Sequence, residues 1–151
     1  MKFIFLVDFD NVPEKSFADA KKLGDDTSVI IFYTQEKSLS LSTLAQLKGV
    51  KKDYLKVDPG KEALDKQLCS YLGYLIGQNS KDNTTFVIIS NDKGYKCVQS
   101  FWNNQEIKNI LIFPNAKECD KYFASKNRNQ IITHNQKPKQ QMFRRKPNST
   151  T

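Results

Sequence analysis

The stretch Thr85-Phe86-Val87-Ile88-Ile89-Ser90-Asn91-Asp92-Lys93-Gly94-Tyr95 sets an uninterrupted apolar run against an abrupt polar turn. Phe86 to Ile89 has the character of a short strand buried on both faces of a parallel sheet. Ser90 to Gly94 is a turn signal, after which Tyr95, Val98, Phe101 and Trp102 recur at helical spacing. An acidic residue, Asp92, therefore stands just past the carboxyl end of a buried strand, the edge at which open α/β sheets bind ligands. The N-terminal stretch makes the same move, Phe3-Ile4-Phe5-Leu6-Val7 running into Asp8-Phe9-Asp10-Asn11.

Alternating elements fill the rest of the chain. Strand-like runs cover residues 2–7, 28–33, 53–57, 85–90 and 107–113, the third with the alternation of an edge strand. A polar helix is expected from Pro13 to about Leu23, because proline suits a first helical turn, with Gly24-Asp25-Asp26 closing it. A short helix is expected from Ser40 to Leu47, where Leu41, Leu44 and Leu47 fall three apart. The strongest helix spans about 61–78, with Leu64, Leu68, Tyr71, Leu72, Leu75 and Ile76 tracing one apolar stripe. Further helices are expected over 95–103 and Lys117–Ala124. Strands alternating with helices predict βαβ units and a parallel sheet. With right-handed crossovers and helices on both faces, the order 3-2-1-4-5 follows, a three-layer α/β/α fold. That order makes the first and fourth strands neighbours, so Asp8 and Asp92 would face one crevice.

Of the 151 residues, 38% are hydrophobic and 26% charged, which suits one domain with a real core. No apolar run approaches the ~20 residues of a membrane span. The opening Met1 to Val7 meets Asp8 too early to supply a secretory h-region, so the cytoplasm is the expected location. Cys69, Cys97 and Cys119 form no C-x-x-C pair and there is a single histidine, His134, which argues against structural zinc. Cys69 and Cys97 are expected to be buried free thiols in helices.

The net charge of +8 is unevenly placed. From Lys121 onward there are eight Lys and Arg residues and no acid; taking these eight from the total of 24 leaves residues 1–120 with 16 basic and 16 acidic groups. From about Asn127 the composition turns to Asn, Gln, Lys, Arg, Pro, Ser and Thr, too polar to offset its ordering entropy. The expectation is a globular domain over 1–126 and a basic, flexible tail over 127–151.

Asp8, Asp65 and Asp92 come from two strand ends and the first turns of the long helix, all at the same expected edge of the sheet. Each has an ordinary alternative role, as a helix cap, a macrodipole partner or a turn residue. Together they point to a cation, since clustered carboxylates repel one another and a hard ion relieves that repulsion. Mg²⁺ or Mn²⁺ is the expected guest, able to activate water against phosphorus. Lys61, Lys66 and Lys93 stand beside these acids as candidate phosphate contacts, with solvated surface lysines as the alternative. In the tail, Phe143 precedes Arg144, Arg145 and Lys146, an aromatic beside three cations that suits single-stranded nucleic acid.

Asp8-x-x-Asn11 after an apolar strand, Ala63-Leu64-Asp65 opening a long helix, and Ile88-Ile89-Ser90-Asn91-Asp92-Lys93-Gly94-Tyr95 resemble the PIN-like nucleases, particularly their NYN-related bacterial branch. The resemblance covers about residues 1–115 and implies a 3-2-1-4-5 parallel sheet with metal-dependent cleavage of single-stranded or structured RNA. It carries metal ligation over to Asp8, Asp65 and Asp92, a supporting polar role to Asn11, and a hydroxyl contact to Ser90. Many relatives have a further acid two residues after the counterpart of Asp92, where this chain has Gly94. Asp10 and Glu36 are the candidates to replace it. If neither does, a catalytically weakened RNA-binding or scaffold protein is the alternative, and a homodimer is allowed for in either case. Asp8-Phe9-Asp10-Asn11-Val12 also resembles the D-x-D-x-V motif of haloacid-dehalogenase-type phosphatases, in which Asp8 would be the nucleophile and Asp10 the general acid.

Overall fold

The structure is a computed structural model that describes residues 1–20, 24, 26–79 and 83–135. Its centre is a five-stranded sheet of order β3-β2-β1-β4-β5, parallel throughout. The strands are β1 (Lys2–Asp8), β2 (Thr27–Tyr33), β3 (Lys51–Lys56), β4 (Thr84–Ile89) and β5 (Ile110–Phe113). The helices are α1 (Leu41–Gln46), α2 (Ala63–Gln78), α3 (Lys96–Asn104) and α4 (Ala116–Asn135). This is the expected three-layer α/β/α arrangement in the expected order.

The period of two along each strand sorts its side chains onto two faces. Phe3, Phe5, Val7, Val29, Ile31, Val87 and Ile89 bury against Phe17, Leu47, Ala116 and Cys119 on one side. Ile4, Leu6, Ile30, Phe32, Phe86 and Ile88 bury against α2 on the other, where Leu64, Leu68, Leu72, Leu75 and Ile76 form the stripe read from the sequence. Both faces being covered explains why β1 and β4 read as continuous apolar runs. β3 pairs only with β2 and carries Lys51, Lys52 and Lys56, the charged edge that discourages pairing with another chain.

Several boundaries differ from expectation. Pro13 opens no α-helix; a 3-10 turn over Glu14–Ser16 leads into further turns that drop Phe17 into the core, edge-on to Phe9 at 5.5 Å. Burial of Phe17 and Ala20 replaces the polar helix, which had no apolar stripe of its own; residues 21–23 and Asp25 lie outside the described residues. In α1, capped by Ser40, Leu41 is 84% exposed and only Leu47 of the three leucines is buried. A spacing of three falls about 60° short of a full turn, so Leu41 and Leu47 diverge by about 120° and do not share one face.

β5 begins at Ile110 rather than Ile107, because residues 105–107 close α3. There Ile107 N–H donates to the Trp102 carbonyl (2.9 Å) and Glu106 N–H to the Asn103 carbonyl (3.0 Å), with Glu106 left-handed at φ 64°. Phe101 faces solvent, and Cys97 is exposed on the first turn of α3 instead of buried.

α4, capped by Asn115, packs through Ala116, Cys119 and Phe123, the last edge-on to Phe3 at 5.2 Å. It continues to Asn135, so residues 127–135 are helical where a flexible tail was expected. No glycine or proline interrupts the sequence from 116 to 137, and exposed Asn, Gln, Lys and Arg do not break a helix. The remainder of the tail, with Arg144, Arg145 and Lys146, lies outside the described residues.

Two stability predictions follow from local geometry. Glu106→Gly removes a left-handed side-chain clash and should raise unfolding free energy by about 0.5–1 kcal/mol. It would be read as a higher urea midpoint at constant slope, and an unchanged midpoint would refute it. Glu14 accepts from Ser40 N–H at 2.7 Å, and the Ser40 backbone and hydroxyl hold its carboxyl below the ordinary range. Its stabilisation is therefore complete above the unfolded-state value and fades as pH falls through the lowered folded value. Glu14→Gln should weaken the protein at neutral pH and flatten its acid-side decline; parallel curves for the two proteins would refute this.

Candidate active site at the carboxyl edge of the sheet

β1 and β4 lie side by side with Val7 opposite Ile89, so the next residues, Asp8 and Ser90, meet at the carboxyl edge. Strand order reverses between them, which opens the crevice where α/β sheets place ligands. Asp8 is 3% exposed, and a carboxylate that deep needs donors. Ser90 Oγ supplies one at 3.1 Å, accepting in turn from Asn11 Nδ2 (3.2 Å) and from Asp92 N–H (3.0 Å). One hydroxyl thus fills its proton and both lone pairs, tying the turns after β1 and β4 together. Asn91 Nδ2 adds a longer bond to the Asn11 carbonyl at 3.4 Å.

The second donor is Tyr95, only 2% exposed, whose hydroxyl lies 3.3 Å from Asp8 Oδ2 and 3.0 Å from Asp65 Oδ1. Asp65 reaches this point from the first turn of α2, as the sequence implied. Asp92 precedes the 3-10 turn Lys93–Tyr95 and accepts from Gly94 N–H at 2.8 Å. Asp8, Asp65 and Asp92 are thus brought to one region, from β1, α2 and the turn after β4.

The electrostatics follow from this crowding. Burial pushes the Asp8 carboxyl upward, the Ser90 bond opposes this, Asp65 adds repulsion, the Tyr95 bond opposes again, and Asp10 adds further repulsion. Burial raises the Asp65 carboxyl, the Tyr95 bond opposes this, and the neighbouring Asp92 and Glu62 add to the rise. Burial and the two nearby carboxylates hold the Tyr95 hydroxyl firmly protonated. Among the described residues, no lysine or arginine ion-pairs with Asp8, Asp65 or Asp92.

Asp65 and Asp92 line a cavity of about 360 Å³ with Glu62, Lys66, Gly94 and Tyr95; Asp8 is not in its wall but behind Tyr95. Cys69 also borders it, and burial first, then Asp65, pushes that thiol up to about 11, too high for a nucleophile. Lys66 stands in the cavity wall, while Lys61 and Lys93 are exposed on the flanking loop and turn.

Neither candidate for the further acid lines the cavity of Asp65 and Asp92, though Asp10 adds repulsion at Asp8. Asp10 accepts from Thr34 N–H at 3.1 Å and from the Thr34 hydroxyl, holding the end of β2. Glu36 is exposed and pairs with Lys56 at 3.1 Å. It borders a separate cavity with Phe9, Tyr33, Lys37 and Tyr54. Glu62, left-handed at φ 58°, borders the cavity with Asp65 and Asp92 and adds repulsion at Asp65. Tyr95 was read from the sequence only as one member of an apolar stripe. The available signal was chemical, since a tyrosine at a core position needs a partner for its hydroxyl.

The donor set tests the expected cation. It is all oxygen and carboxylate, the chemistry of a hard divalent ion. Among the described residues no three acidic, histidine or cysteine side chains converge on one point that would hold a metal. Mg²⁺ is commonly held by one or two carboxylates while keeping several waters, so Asp65 and Asp92 on the open side meet that requirement. The residues fit the ion in donor chemistry and charge.

Comparison with curated proteins and with solved structures finds no match. The pattern of the PIN domain matches residues 2–111, taking in β1 to β4, the start of β5 and the positions of Asp8, Asp65 and Asp92. The match favours the PIN-like resemblance over the phosphatase one, and Asp10 is bonded to Thr34. A 3-2-1-4-5 parallel sheet with acids gathered at its switch point accords with that match, and this chain belongs to the PIN-domain family.

Proposed function

We propose that this protein hydrolyses RNA phosphodiester bonds with the help of Mg²⁺ or Mn²⁺. The observation that carries the reading is three carboxylates brought to one sheet edge with no described cationic side chain paired to them. Asp65 and Asp92 would hold the ion from the cavity side, and Asp8 would add a third negative charge from behind. When bound, such an ion activates water and stabilises charge on the phosphoryl oxygens.

The chain's own residues do the positioning. Ser90 fixes the Asp8 carboxylate and the Asp92 backbone at once, and Asn11 fixes Ser90. Lys66 at the cavity wall, with Lys61 and Lys93 beside it, supplies positive charge for an incoming phosphate. RNA as the substrate class is supported by the net charge of +8 and by its concentration after Lys121.

A second reading keeps RNA binding without cleavage. Gly94 favours it: a carboxylate there would border the same cavity, and its Cβ would meet Asp92 Oδ1 at 3.2 Å.

Labelled RNAs and DNAs incubated with Mg²⁺ or Mn²⁺ should show RNA cleavage that is lost in EDTA. Asp8→Asn with Asp92→Asn should lower it by about 10²–10³-fold or more. Cleavage no greater than the double variant's, combined with retained RNA affinity, would instead establish the binding reading. Residues 136–151 hold five Lys and Arg residues and no acid. Deleting them should weaken RNA affinity and flatten its salt dependence, by about 0.7 in the log–log slope for each lost single-strand phosphate contact. An unchanged slope would show that this segment does not touch RNA.

A further inference from the structure

Tyr95 sets its hydroxyl between Asp8 and Asp65. Its hydroxyl is within hydrogen-bond reach of both carboxylates, at 3.3 and 3.0 Å, yet has one proton to give. Ligand oxygens on Mg²⁺ lie at about 2.0–2.1 Å from the ion, and no such point is common to three of the described acids. The phenol ring that carries the hydroxyl is packed in the core beneath α2 with Leu64 and Leu68, so the group is held in place. The sequence explains the arrangement: Tyr95 lies in the 3-10 turn Lys93–Tyr95, directly after the Asp92 turn, and its hydroxyl reaches Asp8 at the end of β1.

We propose that Tyr95 is a positioning residue that holds Asp8 and Asp65 together without a metal and competes with the divalent ion for them. The inference rests on the reading that this edge takes Mg²⁺ or Mn²⁺. A hydroxyl donor satisfies part of what a buried carboxylate needs and so lowers the gain from a cation. Removing the donor while keeping the ring leaves Asp8 and Asp65 less compensated, and a cation then gains more by binding. The group therefore sets how tightly the ion is held. It also lets the acids stay gathered while the ion is absent, a state that repulsion alone would disfavour.

Calorimetric titration of Mn²⁺ alone into the full-length protein and into Tyr95→Phe tests this. The variant should bind Mn²⁺ roughly tenfold more tightly, the order expected for losing one hydrogen bond to a charged group. Its melting temperature should be lower without Mn²⁺ and should rise more on adding it. Equal or weaker binding by the variant, with clear binding by the wild type, would overturn the role of Tyr95 and leave the metal reading standing. Binding by neither protein would overturn both. Should Tyr95→Phe fail to fold, ultraviolet difference spectra of the wild type decide. Saturating Mn²⁺ should perturb a buried tyrosine, and an unperturbed tyrosine spectrum would overturn the proposal.

Discussion

A carboxylate buried at the end of a central strand has to be hydrogen-bonded, and that demand from Asp8 organises the carboxyl edge of this protein. Ser90 and Tyr95 answer it from one segment, the turn after β4. Ser90 then draws in Asn11 and the Asp92 backbone, and Tyr95 draws in Asp65 from α2. Two strand ends and a helix are joined through one side-chain oxygen. The sheet makes this possible, because the β1–β4 register sets Asp8 opposite Ser90 before any side chain chooses a partner.

The edge is held at some cost to stability. Asp8 and Asp65 are both raised, so between their unfolded and folded values the native state binds protons more tightly and stability falls as pH rises. Glu14, bonded to Ser40, has the opposite sign, as expected of a carboxylate whose main neighbours are donors. A fold that gathers repelling acids at one sheet edge has a local conflict there. Such conflicts are characteristic of functional sites. The covering of both sheet faces supplies the rigidity against which the conflict is maintained.

Much of the fold was legible residue by residue. The runs Phe3 to Val7 and Phe86 to Ile89, short and bounded by turn signals, read as doubly buried strands, and the stripe from Leu64 to Ile76 as an amphipathic helix. Misreadings came where local pattern was weak. Residues 13–20 lacked an apolar period and were settled by the burial of Phe17, while the leucines of α1, three apart, drift round the helix and do not share one face. The extension of α4 past residue 126 was hidden because its composition suits a solvated helix and an unfolded tail equally well.

At the site, the sequence by itself determined that Asp8, Asp65 and Asp92 would reach one edge, since each follows or opens an element whose direction in a parallel sheet is set. It did so because apolar runs and turn residues act over a few neighbouring positions. Only the tertiary structure decided which acids join the group. Asp10 turned to Thr34, Glu36 to Lys56, and Tyr95 inserted its hydroxyl between Asp8 and Asp65. Those partners lie 20 to 87 residues apart in the chain, and their pairing depends on distances of about an ångström that no local pattern encodes.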